Sequence, residues 1–212
     1  MSRHEHKGHG GHPHIHRRGD RHGARQPERF DPARAALLDD PARLEYLPPE
    51  SLVELLDAPA GTRVVDFGTG TGAIAIELAR RRPDLELIAL DEQPQMLDLL
   101  KAKPAARELR NLKPVLSGEM ALAQSAERVL AINVLHELGD EALEDLAGML
   151  KPGGSALVVD WNSEVDRPVG PPRDHVYSPA EARQRLQAAG LSANEKAPLK
   201  YHYVFVAAKP SK

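Results

Sequence analysis

The sequence predicts an α/β fold of the doubly wound kind, a mostly parallel sheet with helices on both faces. Three observations predict it. After Gly61, apolar runs of strand length alternate with amphipathic helical stretches, the pattern of repeated βαβ units. The first of these runs leads straight into a glycine loop and then a helix, Val64-Val65-Asp66-Phe67-Gly68-Thr69-Gly70-Thr71-Gly72-Ala73. At 212 residues the chain is long enough for one such domain with a large core and short terminal additions.

Residues 1–29 form a polar arm holding seven of the ten histidines and almost nothing apolar, so this segment is expected to be disordered when alone. Residues 30–60 carry Ala, Leu and Arg at helical spacing, punctuated by Asp31-Pro32, Asp40-Pro41 and Leu47-Pro48-Pro49. Asp before Pro favours a helix start, so two or three short helices are expected here, covering the ligand cleft of the domain that fills residues 61–212. Within that domain the expected strands are Arg63 to Phe67, Leu85 to Asp91, Lys113 to Leu116, Arg128 to Asn133 and Ser155 to Trp161. Helices are expected over Gly72 to Arg82 and Asp140 to Leu150, the second stopped by Lys151-Pro152-Gly153-Gly154. A Pro-rich loop from Val165 to Asp174, a helix from Ser178 to Ala189 and a last β segment near Tyr201 to Ala208 complete the chain.

Composition narrows the function classes. With 28 Lys plus Arg against 31 Asp plus Glu, the net charge of -3 gives no global pull toward nucleic acid or an anionic membrane, and a small neutral or cationic substrate is expected. The absence of cysteine excludes disulfides, thiolate metal sites and a cysteine nucleophile, and suits a reducing cytoplasm. No apolar run approaches the roughly 20 residues that span a bilayer, and no signal peptide is apparent, so a soluble cytoplasmic protein with no membrane span is expected.

The glycine loop is where the chemistry concentrates. Glycines let the chain turn tightly and a ligand approach the backbone, while the following helix offers free N–H donors. Dinucleotide-binding loops share this feature, and Ala73 meets their looser spacing, so spacing alone leaves both readings open. Asp66 separates them: a carboxylate at this strand end repels a pyrophosphate but suits a cation, such as the amino group or sulfonium of S-adenosylmethionine. Asp91 ends the next strand about 20 residues on, where it can accept from both ribose hydroxyls or cap the helix begun by Pro94.

Val64 to Arg80 with Asp91 resembles the cofactor-binding half of class I S-adenosylmethionine-dependent methyltransferases, and Leu150-Lys151-Pro152-Gly153-Gly154 resembles their Leu-Lys-Pro-Gly-Gly segment. The resemblance runs from about Leu47 to Lys209. It implies methyl transfer from S-adenosylmethionine and a seven-stranded sheet in the order 3-2-1-4-5-7-6, with one antiparallel strand near the C-terminus. It also implies that Asp66, Gly68 and Gly70 border the methionine part of the cofactor and Asp91 its ribose. Glu119 and Met120 then stand near the adenine, where Met96 either packs on the adenine face or is a core residue. Asn133 would hold the amino acid portion.

After the fourth strand comes Val134-Leu135-His136-Glu137, at the carboxyl end of the sheet where ligands bind. His136, the only histidine this layout brings to the cleft, is the candidate general base, the other reading being a wall of the pocket. The loop Gly170-Pro171-Pro172-Arg173 is read as part of the acceptor pocket or as a rigid connection. In the arm, the alternation at His12, His14 and His16 is a candidate nickel or zinc site, since imidazole suits these ions, against the plainer reading of a solvated tail. The competing functions are a nicotinamide-dependent oxidoreductase, disfavoured by Asp66, and a non-catalytic module that binds the cofactor or handles metal.

Overall fold

The computed structural model describes residues 29–211. Seven strands form one sheet in the order β3-β2-β1-β4-β5-β7-β6, made of β1 (Arg63–Phe67), β2 (Glu86–Asp91), β3 (Leu112–Leu116), β4 (Ala126–Ile132), β5 (Leu150–Trp161), β6 (Ser192–Glu195) and β7 (His202–Ala208). The first five pair in parallel, and β7 runs antiparallel to both β5 and β6. The helices are α1 (Arg43–Tyr46), α2 (Pro49–Leu56), α3 (Ala73–Arg81), α4 (Pro94–Ala102), α5 (Pro104–Glu108), α6 (Asp140–Met149) and α7 (Pro179–Ala188).

Alternation along the strands builds two cores. On one face Val64, Leu87, Ala89 and Leu130 meet Leu52 and Leu56 of α2, Leu78 of α3 and Leu97 and Leu100 of α4. On the other, Val65, Ile88, Val129 and Phe205 meet Leu143 and Leu146 of α6 and Leu186 of α7. A strand covered on both faces must be apolar on both, which is why Leu87-Ile88-Ala89-Leu90 reads as a continuous run.

The N-terminal region holds three short helices, as its Pro spacing predicts, the first being a 3₁₀ helix (Pro32–Asp39) whose N-cap, Asp31, accepts from the Ala33 N–H at 2.9 Å. Pro-led helices recur at α2, α4, α5 and α7, where the missing N–H costs nothing. At α7, Ser178 and Glu181 complete a capping box.

Two details differ from the sequence reading. Lys151-Pro152-Gly153-Gly154 does end α6, but it lies inside β5: the register jumps from Ala126 opposite Leu150 to Arg128 opposite Ser155. Gly153 takes φ +77° and Gly154 lies so close to β4 that a Cβ would meet the Glu127 carbonyl at 2.9 Å, so the glycines form a bulge within the strand. The edge strand β6, Ser-Ala-Asn-Glu, has no apolar alternation to reveal it and exists through its pairing with β7.

Candidate active site

The carboxyl ends of β1, β2, β4 and β5 converge on one edge of the sheet. At β1 the chain leaves the strand through Gly68, Gly70 and Gly72, all at positive φ. A Cβ on Gly68 would meet Val134 Cγ2 at 2.5 Å and one on Gly72 would meet Leu100 Cδ1 at 2.3 Å, so side-chain-free residues are needed for both conformation and space. Asp66 is only 4% exposed and lies under this loop, where its carboxylate accepts from the Thr69 hydroxyl at 2.6 Å. Burial, with the charge of Asp91 adding to it, pushes the Asp66 carboxyl up to about 6. Asp91 is buried too, and burial likewise raises its pKa. Its Oδ2 accepts from the Gly70 N–H at 2.7 Å and its Oδ1 from the Gln93 N–H at 2.9 Å, fixing the loop against the end of β2.

At β4 the strand stops because Asn133 turns to φ +56°, a left-handed conformation that asparagine adopts more readily than most residues. Its N–H donates to the Val159 carbonyl, whereas its side-chain Oδ1 is buried with no hydrogen-bond donor. Such an atom awaits a donor from outside the chain. Beyond the loop, Glu119 is exposed and its carboxylate turns back toward the Leu116 N–H at 3.4 Å, while Met120 packs against the core. Met96 is fully buried in α4.

His136 follows in a short 3₁₀ turn (Leu135–Glu137) and meets Asp160 of β5. The Asp160 side chain is wholly buried; its Oδ1 lies 2.8 Å from His136 Nδ1, and its Oδ2 accepts from the His136 backbone N–H at 2.9 Å. The ring and its own backbone therefore grip one carboxylate, which fixes Nδ1 as the protonated nitrogen and turns Nε2 outward. On the far side, Nε2 stands 3.6 Å from Glu137 Oε1. Burial pulls the His136 pKa down, but the Asp160 charge and hydrogen bond, aided by Glu137, outweigh it and leave the ring above its ordinary value. Burial pushes the Glu137 carboxyl up to about 7 against the opposing pull of His136. Asp160, His136 and Glu137 thus stand in line at the sheet edge, linked through the two ring nitrogens of His136.

Residues 30–39 roof this edge. The Phe30 N–H donates to Glu137 Oε2 at 3.1 Å and its carbonyl accepts from Gln93 Nε2 at 3.1 Å, so one residue ties the end of β4 to that of β2. Asp39 accepts from the Thr71 hydroxyl of the glycine loop at 2.6 Å and from Lys103 Nζ.

The sequence named Asp66, Gly68, Gly70, Asp91, Asn133 and His136, and all six reach this edge; Asp160, Glu137 and Phe30 were missed. A second histidine also comes here, contrary to expectation. His202 opens β7 opposite Trp161, its ring 4.3 Å from the indole and stacked with Tyr46 at 5.8 Å. It is 1% exposed with neither ring nitrogen hydrogen-bonded, and burial pushes its pKa down to about 4, so it is a neutral ring. His12, His14 and His16 lie outside the described residues. Among the described residues no group of three or more His, Asp or Glu is placed to hold a metal ion, and no helix is long and apolar enough to cross a membrane.

Comparison with known proteins bears on this arrangement. A family model described as a methyltransferase domain matches residues 64–154. A solved S-adenosylmethionine-dependent methyltransferase from Aquifex aeolicus superposes with a TM-score of 0.77 at 28% identity, over 85% of this chain and 99% of that one. Release factor glutamine methyltransferase of Escherichia coli (strain K12) is 40% identical over 68 residues, 32% of this chain and 24% of its own length. Trans-aconitate 2-methyltransferase of Pseudomonas aeruginosa is 34% identical over 126 residues, 57% of this chain and 44% of its own. The chain spans less than half the length of these curated relatives. Family model, structural match and strand order agree: residues 64–154 match a methyltransferase domain, and the sheet around them has the fold of class I S-adenosylmethionine-dependent methyltransferases.

Proposed function

We propose that the protein transfers a methyl group from S-adenosylmethionine to a small-molecule acceptor. The observation that carries this reading is the joint placement, on one sheet edge, of a glycine cradle with two buried carboxylates and of a histidine oriented by a third. The residues fit the cofactor. Asp66 and Asp91, both raised by burial, form an acidic pair that a cation would stabilise, and the unpartnered Asn133 Oδ1 seeks the kind of donor that an ammonium group provides. Gly68 and Gly70 would lie along the methionine part, Asp91 has lone pairs left for the ribose, and Glu119 and Met120 would border the adenine.

When bound, the cofactor supplies a methyl group on a cationic sulfur that leaves as neutral S-adenosylhomocysteine. The chain's own contribution is position and proton handling. His136 Nε2, held outward by Asp160, accepts the proton that the acceptor's oxygen or nitrogen loses as it takes the methyl. Glu137, with a pKa about 7, stands next in line to receive that proton. Residues 30–39 and the Tyr46–Trp161–His202 stack border the site, and with the cofactor bound they would limit the access of water.

Of the relatives, one is named for trans-aconitate and another for a release factor glutamine. The small-molecule reading is favoured by this enclosure and by the net charge of -3, which also argues against nucleic acid. Metal capture by His12, His14 and His16 would be a separate property of the arm. Calorimetry with S-adenosylhomocysteine, followed by a screen of small phenols, amines and carboxylic acids with methyl-labelled cofactor, tests the assignment. Micromolar binding with label transfer supports it; failure of S-adenosylhomocysteine to bind the folded protein refutes it.

A further inference from the structure

Trp161 ends β5 one residue after Asp160, and the chain then enters a loop whose residues Arg167 to Arg173 line a solvent-open cavity of about 300 Å³. The loop is rigid by composition: Pro168, Pro171 and Pro172 fix its backbone, and Gly170 takes φ +89°. That glycine also makes room. A Cβ there would meet Arg167 Nη1 at 2.6 Å and the Trp161 ring at 3.0 Å, so only glycine lets the guanidinium lie against the indole, 5.0 Å from its centroid.

The cavity carries more positive charge than the chain neutralises. Arg167 donates Nη1 to the Val169 carbonyl at 2.6 Å and Nη2 to the Pro171 carbonyl at 2.5 Å, which orders the guanidinium without cancelling its charge. Its Nε is buried with no acceptor, and among the described residues no carboxylate pairs with it. Arg173, at the other end of the lining, pairs with Asp166, whose side chain is fully exposed to solvent. Two guanidinium groups therefore line one small space, where the directly paired carboxylate, Asp166, is screened by water. Burial and the neighbouring Arg173 pull the Arg167 pKa down, as expected of a cation lacking its anion, and Arg167 in turn lies within electrostatic reach of Asp160 and His136.

We propose that this cavity is an anion subsite of the acceptor site, taking a carboxylate carried by the acceptor between Arg167 and Arg173 and so anchoring it beside the His136–Asp160 pair. The inference rests on the methyl-transfer reading for the identity of the bound molecule as acceptor. The recognition itself rests on the two arginines. Arginine suits it because each terminal nitrogen of Arg167 keeps a second N–H beyond the one given to the Val169 or Pro171 carbonyl, and a guanidinium already held by those carbonyls loses little freedom on binding.

The test uses the full chain saturated with S-adenosylhomocysteine, titrated calorimetrically with benzoate, succinate and citrate, and with benzamide and succinamide as uncharged counterparts. At least one acid should bind tenfold or more tightly than its amide. That preference should shrink below threefold in Arg167→Met and in Arg173→Met, with the affinity for S-adenosylhomocysteine unchanged. The second variant guards the test, because Arg173 is 53% exposed and can be truncated without disturbing the Trp161 stack. Acids and amides binding alike, no acid binding at all, or a preference that survives both substitutions would overturn the subsite. If S-adenosylhomocysteine itself fails to bind, the methyl-transfer reading falls, and the same titrations on the cofactor-free chain still decide whether the cavity takes anions.

Discussion

Asp160→Asn should abolish the feature that makes His136 a usable base. Two opposing effects act on the ring: burial disfavours the imidazolium, and the Asp160 carboxylate, 2.8 Å from Nδ1 and hydrogen-bonded to the backbone of the same residue, favours it by more. Replacing the carboxylate by a neutral amide removes the second effect and leaves the first. A hydrogen bond to a charged group contributes about 1.5–3 kcal/mol, enough to decide the balance, so the His136 pKa should fall from above its ordinary value to below it. The amide can also donate to Nδ1, which moves the ring's proton to Nε2 and blocks the nitrogen facing outward. Ring resonances of histidine-labelled protein, with His136 identified by its loss in His136→Gln, give the pKa directly. Once an acceptor is in hand, turnover should rise with pH through that pKa in wild type and drop by about 100-fold to 10,000-fold in Asp160→Asn, while S-adenosylhomocysteine affinity stays within a factor of three. A wild-type pKa at or below about 6.5, or one that Asp160→Asn does not move, would refute the electrostatic reasoning; unchanged turnover would leave His136 a wall of the pocket.

Four further outcomes are expected. Asp91→Ala should weaken S-adenosylhomocysteine at least about tenfold by calorimetry, because a charged acceptor of hydrogen bonds is lost; unchanged affinity in a folded variant removes Asp91 from the ribose position. The Asp66 carboxyl must ionise to receive a cation, and its pKa of about 6 means that cofactor affinity rises with pH and levels off above that value; a loss of about tenfold at pH 5 relative to pH 7.5 is expected, and Asp66→Asn should flatten the profile. Since the Glu137 pKa is raised to about 7, the native state holds this proton more tightly than the unfolded chain, so the group's contribution to stability declines as pH rises from about 4.5 to 7; Glu137→Gln should therefore raise the melting temperature at pH 8 and leave it nearly unchanged at pH 4.5. Gly68→Ala combines a left-handed φ of +71° with a contact of 2.5 Å on Val134 and should cost at least about 2 kcal/mol in denaturant unfolding.

The sheet was legible because a strand buried on both faces must be apolar throughout, and such runs stand out between amphipathic helices. β6 was not, since an edge strand needs only its backbone, and Ser-Ala-Asn-Glu shows no pattern. The glycine loop was legible because its positive φ values and close approaches admit few other residues. Asp160 was missed although the sequence carried its signal. The strands ending Val64-Val65-Asp66, Ala89-Leu90-Asp91 and Val158-Val159-Asp160 share one form, an apolar run closed by an aspartate, and in a parallel sheet such ends share one edge. A carboxylate that ends a buried strand is costly unless it is hydrogen-bonded or faces a charge, and each of these has found such partners: Thr69 for Asp66, the Gly70 and Gln93 N–H groups for Asp91, and His136 for Asp160.

What no local pattern could reveal is how the pieces meet. Phe30 reaches Glu137 across 107 positions of sequence and Gln93 across 63, and His202 arrives at Trp161 because β7 reverses direction beside β5. These contacts join the roof to the proton-handling groups: the Phe30 N–H helps hold down the Glu137 pKa that burial raises. If residues 29–39 lift to admit the cofactor, Glu137 loses a donor and gains water, two changes that move its pKa in opposite directions. Burial is the larger of the two, so opening should lower the Glu137 pKa and closing should raise it toward the value of a proton acceptor for His136. The same hydrogen bond that seats the roof therefore links closure of the site to the Glu137 pKa, and Phe30→Pro, which removes that N–H together with the ring that Arg34 lies over, should loosen the roof, with Phe30→Ala, which keeps the N–H, as its control.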